Sequence, residues 1–259
     1  MSWELEICAS LLILLLTLLL LFRRRIRLKY YDYQQNSLKQ KVLFGKDDFE
    51  KCKLIGGIDI SFIKNDDVNA CISLVVIDLE TLEQVHAHTA MIKMTCPYIP
   101  GYLAFRETPH IRTILQHTLS ATPQFYPDVL VVDGNGRLHN KQFGLACHTG
   151  VLCDVPCIGV AKNLFQMAGC LRDDDHKDAI KSLESPGDFF DIHNVEDVVI
   201  GCAMRTTKAS TKPVYVSEGH RISLESARSI VVRCSKYRVP EPVRLADLGS
   251  REVLREMEG

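Results

Sequence analysis

A chain of 259 residues with 46% hydrophobic and 24% charged side chains can bury one sizeable core, which excludes a disordered or low-complexity polypeptide. Its 31 Lys and Arg against 32 Asp and Glu exclude a chain that binds nucleic acid by bulk positive charge. The ten cysteines include no Cys-x-x-Cys pair, and Cys147, Cys153 and Cys157 with His148 lack zinc-finger spacing, so they read as reduced thiols in a reducing compartment.

The first residues differ from the rest. Ile7 to Phe22 is almost continuously apolar and runs straight into Arg23, Arg24 and Arg25. The run is somewhat short of the roughly 20 residues that span a bilayer, and its charge follows the apolar stretch, the reverse of a cleaved signal peptide. Two readings stay open here: a single-pass anchor that leaves everything after Arg25 in the cytosol, or an atypical start joined to the real domain. Residues 1–33 are therefore an apolar segment with a basic flank, and residues 34–259 carry the chemistry.

Downstream, Gln34 to Val42 reads as a polar helix. Leu54 to Phe62, Asn69 to Leu79 and Gln84 to Lys93 alternate as three strands of an antiparallel meander. Thr108-Pro109 has the form of a cap and first helical residue, with Ile111, Ile114, Leu115 and Leu119 as the buried stripe; Glu107 then sits at the mouth of that helix. Asp128 to Asp133 (Asp-Val-Leu-Val-Val-Asp) is apolar enough for a central parallel strand buried on both faces. A helix near Phe143 to Leu152, strands at Cys157 to Ala161, Val198 to Met204 and Val214 to Val216, and two C-terminal helices follow, while Asp173-Asp174-Asp175 reads as a solvated loop. This order predicts an α/β fold with a ribonuclease-H-like mixed sheet flanked by helices in a single domain.

Acids stand where acids are costly. Period two in the first strand puts Asp59 on one face with Gly57 and Ser61, and Ile58, Ile60 and Phe62 on the other. Asp133 ends its strand and precedes Gly134-Asn135-Gly136, a turn through which backbone can approach a substrate; taken alone, Asp133 reads first as a turn residue. Two strand carboxylates brought together in one sheet repel and call for a cation, and hard oxygen donors suit Mg²⁺ or Mn²⁺. From Gly201 to Arg244, nine Lys and Arg stand against three Glu, which is either a phosphate-facing surface or a solvated basic face.

The segments Gly57-Ile58-Asp59-Ile60-Ser61-Phe62, Pro97-Tyr98-Ile99-Pro100-Gly101-Tyr102-Leu103-Ala104-Phe105-Arg106-Glu107 and Val132-Asp133-Gly134-Asn135-Gly136 resemble the signatures of the endonuclease V family. The resemblance continues through His139, Phe143-Gly144, Gly159-Val160-Ala161-Lys162, Gly219-His220-Arg221 and Ala246-Asp247, and only the apolar start departs from it. It implies an inosine-directed endonuclease. Asp59, Glu107 and Asp133 would bind Mg²⁺, with Mn²⁺ as substitute, and Asp247 would stand near the metal. Lys162 would neutralise phosphate charge, and His139 and His220 would touch the backbone or position water. Tyr98, Pro100 and Gly101 would form a stiff wedge beside the altered base, and Leu103, Gly134 and Gly136 would wall its pocket.

The implied substrate is inosine-containing single-stranded RNA, cut 3′ of inosine to leave a 3′-hydroxyl and a 5′-phosphate, with inosine-containing DNA and a DNA-repair role as the alternative. A non-catalytic inosine-RNA reader would keep the pocket but lose the acids, which are all present. A monomer of the cytoplasm and the nucleus or nucleolus is expected, with membrane contact only where residues 7–22 insert.

Overall fold

Continuous burial along the central strands decides the architecture, because it gives the sheet two apolar faces and leaves the helices to cover both. The computed structural model describes residues 2–47 and 52–258 and divides the chain into two compact units, residues 1–40 and 41–259. The first unit is one helix, α1 (Ser2–Lys39), in which the polar helix expected from Gln34 forms the last turns. The large apolar side chains of residues 11–22 are exposed on it. Among the described residues no helix is long and apolar enough to cross a membrane.

The second unit is built on β1 (Leu54–Phe62), β2 (Asn69–Asp78), β3 (Gln84–Lys93), β4 (Val129–Asp133), β5 (Cys157–Ala161), β6 (Phe189–His193), β7 (Val199–Met204) and β8 (Val214–His220). Their order is β3-β2-β1-β4-β5-β8-β7-β6. The expected meander of β1, β2 and β3 is antiparallel, β4 runs parallel to both β1 and β5, and the remaining pairs are antiparallel. This is the mixed sheet that the order of elements predicts.

One face carries Ile58, Ile72, Leu74, Leu130 and Val132 beneath α2 (Leu103–Ala121) and α3 (Leu145–Cys153). The other carries Ile55, Val129, Val131, Val160 and Val216 beneath α5 (Leu224–Arg233) and α6 (Glu241–Glu258). Gly57 belongs to that second face, where a Cβ would lie 2.1 Å from the Pro242 carbonyl carbon. A larger residue cannot stand there while α6 crosses β1 so closely. The small residue that shares a strand face with Asp59 makes room for a helix.

Three local expectations are corrected. Helix α2 begins at Leu103, so Pro109 is inside it and Glu107 is a full turn from its start. Burial of Ala104 and Arg106 extends the helix past the local cap signal of Thr108-Pro109, against the usual penalty for an interior proline. Asp173 to Asp175 is no loop: the Asp173 side chain accepts a hydrogen bond from the His176 N–H and caps α4 (Asp174–Lys181), as a short acceptor before a helix does. Strand β6 was not expected, and it is an edge strand with a largely exposed side-chain pattern, so little apolar periodicity marks it.

Among the described residues, Cys71, Cys147, Cys157, Cys202 and Cys234 are buried, and burial pushes the Cys202 and Cys234 thiols up to about 12.

Candidate active site

The site begins with strand register. Ile58 pairs with Val132 across the parallel β1–β4 contact, so the next residues, Asp59 and Asp133, stand side by side. Period two puts both on the α6 face. They lie just past the last pair of the parallel β1–β4 contact, at the carboxyl end of β4, the position at which open α/β sheets present their ligands. Glu107 reaches the same place from α2 on the opposite face. A cavity of about 260 Å³ is lined by Asp59, Glu107 and Asp133 together with Ile58, Ile111, Val132 and Leu145.

Asp59 is braced from α6. The buried Ser250 hydroxyl lies 2.8 Å from Ser61 Oγ and 3.4 Å from Asp59 Oδ2, and donates to the Asp247 carbonyl oxygen at 3.1 Å. Ser61 Oγ itself lies 3.3 Å from Asp59 Oδ2. The same helix brings Asp247 to a larger cleft of about 690 Å³, which Asp59, Asp133, Lys162, Lys64, Arg251 and Arg255 also line. Arg251 Nε donates to Asp247 Oδ1 at 2.7 Å. Lys162 Nζ donates to Asp133 Oδ2 at 2.5 Å.

The electrostatics follow from that crowding. Burial, then the charges of Asp133 and Asp247, push Asp59 up to about 6. Burial, then Asp59 and Asp133, push Glu107 up to about 8. Glu107 keeps some accessible surface, yet the apolar walls of its cavity deny the ionised form most of its hydration, so the upward direction stands. Burial acts to lower the Lys162 pKa, but its bond to Asp133 and the surrounding carboxylates outweigh that and raise it overall. The cluster thus has more negative charge than one lysine offsets. Among the described residues no three His, Cys, Asp or Glu side chains are already arranged to hold an ion.

The segment expected to form a wedge precedes α2. Tyr102 N donates to Ile99 O at 2.9 Å around Pro100 and Gly101, and Gly101 has φ +81°. Proline followed by a residue at positive φ is the pattern of a type II turn, which favours glycine there. Ile99 is buried under the turn while Tyr98 is 62% exposed, so the tyrosine is presented outward. Leu103 opens the helix that carries Glu107. Sequence reasoning missed Arg106, which is buried. Its guanidinium donates to Cys96 O at 2.9 Å and to Asp67 O, and lies over the Phe62 ring. An arginine beside Glu107 was the available signal.

Other expected residues are placed differently. The Gly134 N–H donates to Val160 O and the Gly136 N–H to Ser217 Oγ at 2.9 Å. A Cβ on Gly136 would lie 2.1 Å from Glu218 O, so this glycine serves the packing of its loop on β8. His139 is buried beside Phe165, its Nδ1 accepts from Lys141 N, and burial, then Lys141, holds it down at about 4. It lines neither cavity beside the acids. His220 pairs with Cys157 at the start of β5, the end of that strand away from Lys162. It is buried, and its Nδ1 accepts from Leu43 N at 3.3 Å. The structure does not bring His220 to the carboxylates.

The comparisons with known proteins agree with this geometry. The family model for Endonuclease V matches residues 36–248. Human endonuclease V is 46% identical over 211 residues, covering 82% of this chain and 75% of its own length. A crystal structure of the human protein superposes with a TM-score of 0.86 at 41% identity, covering 90% of this chain and 100% of that one. Endonuclease V from Ciona intestinalis, in complex with a 24mer DNA containing an inosine followed by a ribo-adenosine, superposes with a TM-score of 0.85 at 33% identity, covering 89% of this chain and 99% of that one. With its mixed sheet, its strand-end acids and these relatives, the chain belongs to the endonuclease V family, nucleases that hydrolyse phosphodiester bonds.

Proposed function

We propose that the protein is a divalent-metal-dependent endonuclease that cuts single-stranded RNA 3′ of inosine, leaving a 3′-hydroxyl and a 5′-phosphate, with inosine-containing DNA as a second substrate class. The observation that carries the reading is the convergence of Asp59 and Asp133 on adjacent strands with Glu107 facing them from α2. An all-oxygen donor set with unbalanced negative charge fits Mg²⁺, or Mn²⁺ in its place. A bound ion there supplies charge stabilisation at the scissile phosphate and a lowered pKa for the attacking water.

The protein's own groups do the rest. Asp59 and Asp133, fixed by strands, and Glu107, fixed by a helix, hold the donor geometry, and Asp247 adds negative charge from α6. The Lys162 ammonium, already at Asp133, offers a positive charge to a phosphate oxygen. Tyr98, exposed on a stiff turn, stacks beside the displaced base. His139, buried and neutral, orients its own loop. Neither the placement nor the hydrogen bonding of His220 supports direct contact with the reacting phosphate.

RNA is favoured over DNA on two grounds. Single-stranded RNA splays its bases readily. The Ciona complex also places a ribonucleotide directly after the inosine. The proposed setting is a monomer in the cytoplasm and nucleus, with attachment through the apolar part of α1 as the alternative; carbonate extraction of membranes distinguishes the two.

The test incubates the full chain with a labelled RNA carrying one inosine, with Mg²⁺ or with chelator, beside Asp59→Ala. Metal-dependent cutting next to inosine that disappears in the variant supports the reading. Binding without cutting under any metal points instead to an inosine reader. Equal cleavage of matched RNA and DNA strands removes the RNA preference alone.

A further inference from the structure

Beyond Lys162 from the carboxylates lies a second cavity, about 330 Å³ in volume, whose lining includes Lys162, Asn163, Arg172, Lys212, Tyr215 and Arg238 and no acidic side chain. Four cations around one hollow repel one another unless an anion joins them. Among the described residues, none of Arg172, Lys212 and Arg238 is ion-paired. Several basic residues of the C-terminal third differ from them in being held by local partners. Arg221 pairs with Asp154 at 3.0 Å, Arg228 with Asp191 at 3.4 Å and Arg244 with Glu241 at 2.6 Å. Arg205 donates to the carbonyls of Leu183, Thr207 and Lys208.

Arg238 is also held in place. Its guanidinium donates to Pro213 O at 2.9 Å and to Lys162 O, so it is fixed before any ligand arrives. Burial pushes its pKa down and Arg172 adds to that push, against an upward pull from Tyr215 and Asp133. Lys162 lines both this cavity and the carboxylate cleft. A strand with one phosphate at the carboxylates therefore has a continuous cationic path to the second cavity.

We propose that this cavity is a second phosphate subsite, holding a backbone phosphate of the bound single strand beyond the scissile one and so fixing where the strand is cut. Arg238 and Lys162 supply fixed charge, and Arg172 and Lys212 close on the phosphate from the exposed rim. The proposal rests on the nucleic-acid reading above, and the experiment separates the two.

Affinity of the full chain is measured in chelator, so that nothing is cut, for single strands carrying one neutral methylphosphonate linkage moved position by position. Wild type is compared with Arg172→Ala/Lys212→Ala and with Lys181→Ala, an exposed lysine outside the cavity. At one position away from the scissile linkage, wild type loses about tenfold on neutralisation. The double variant loses a similar factor on the unmodified strand and nothing further at that position, the coupling expected of two groups in contact. Its salt dependence is shallower by about 0.7 per lost phosphate contact, whereas Lys181→Ala matches wild type.

Additive losses at every position, or no affinity of wild type for any strand, overturn the subsite. An inosine-free strand run in parallel tests the other reading: equal affinity for both strands removes inosine recognition, while the methylphosphonate coupling still decides the cavity.

Discussion

Lys162 reaches Asp133 across 2.5 Å, and this one lysine stands between the acidic cleft and the basic cavity. Replacing it by Met removes the charge proposed to face a phosphate while keeping most of the side-chain volume. Cleavage is expected to fall by about 100-fold, the usual cost of one lost charge-stabilising group. Stability changes by about 1 kcal/mol at most, because the pair is partly exposed. Single-turnover rates and melting curves on the same preparation check both. A variant that cuts at the wild-type rate removes Lys162 from the reaction.

The raised carboxylates set a pH dependence whose sign is fixed. Glu107 rises from an ordinary 4.5 to about 8 in the folded protein, and Asp59 from 3.8 to about 6. Between those values the folded state binds protons that the unfolded chain has released, so metal-free stability falls as pH rises from about 3.8 to about 8 and levels off above that. Mg²⁺ opposes the trend by favouring the ionised acids. Melting temperatures in chelator should therefore drop across this range, while the drop shrinks with saturating Mg²⁺. Glu107→Gln should flatten the metal-free profile; an unchanged slope in that variant assigns the dependence elsewhere.

Gly57 and Ser250 test the contribution of α6. In Gly57→Ala the new Cβ meets Pro242 backbone at 2.1 Å, so α6 must withdraw, taking Asp247 and Ser250 from Asp59. Overpacking of this kind costs about 1–3 kcal/mol, roughly 3–10 °C in melting temperature for a domain of this size. Misplacement of the acids lowers cleavage by about 100-fold. Ser250→Ala removes only the hydroxyl between Ser61 and Asp59, at about 1 kcal/mol, and should slow cleavage less. Full activity in Gly57→Ala denies α6 a part in the site.

The legible parts of the molecule were those with local periodicity. The bounds of β1, β3 and β5 follow from alternation or unbroken apolar runs, and the face shared by Asp59 and Gly57 follows from period two. The helix carrying Glu107 was misjudged because Thr108-Pro109 is a strong local start signal, and only tertiary burial of Ala104 and Arg106 moves the start to Leu103. The glycines at 57 and 136 were legible as special but not for the right cause: what fills the space of the absent Cβ is a helix backbone in one case and a strand carbonyl in the other. Nor does sequence spacing reveal that Arg172, far from the basic C-terminal third, joins Lys212 and Arg238 around one cavity. That depends on which strands become neighbours.

Arg106 and Tyr98 separate the anchoring of the wedge from its contact with the base. In Arg106→Met the Cys96 and Asp67 carbonyls lose their donor, at about 1.5–3 kcal/mol for bonds to a charged group, and the turn carrying Tyr98 loosens. Tyr98 is 62% exposed, so Tyr98→Ala should leave the melting temperature unchanged. Both variants should lose preference for inosine, by roughly ten- to hundredfold where one stacked base is at stake. The measurement is the ratio of kcat/KM for strands with inosine and with guanosine at the same position. If Arg106→Met melts earlier yet keeps the ratio, the arginine supports the fold alone, and the turn finds its place beside the base without it.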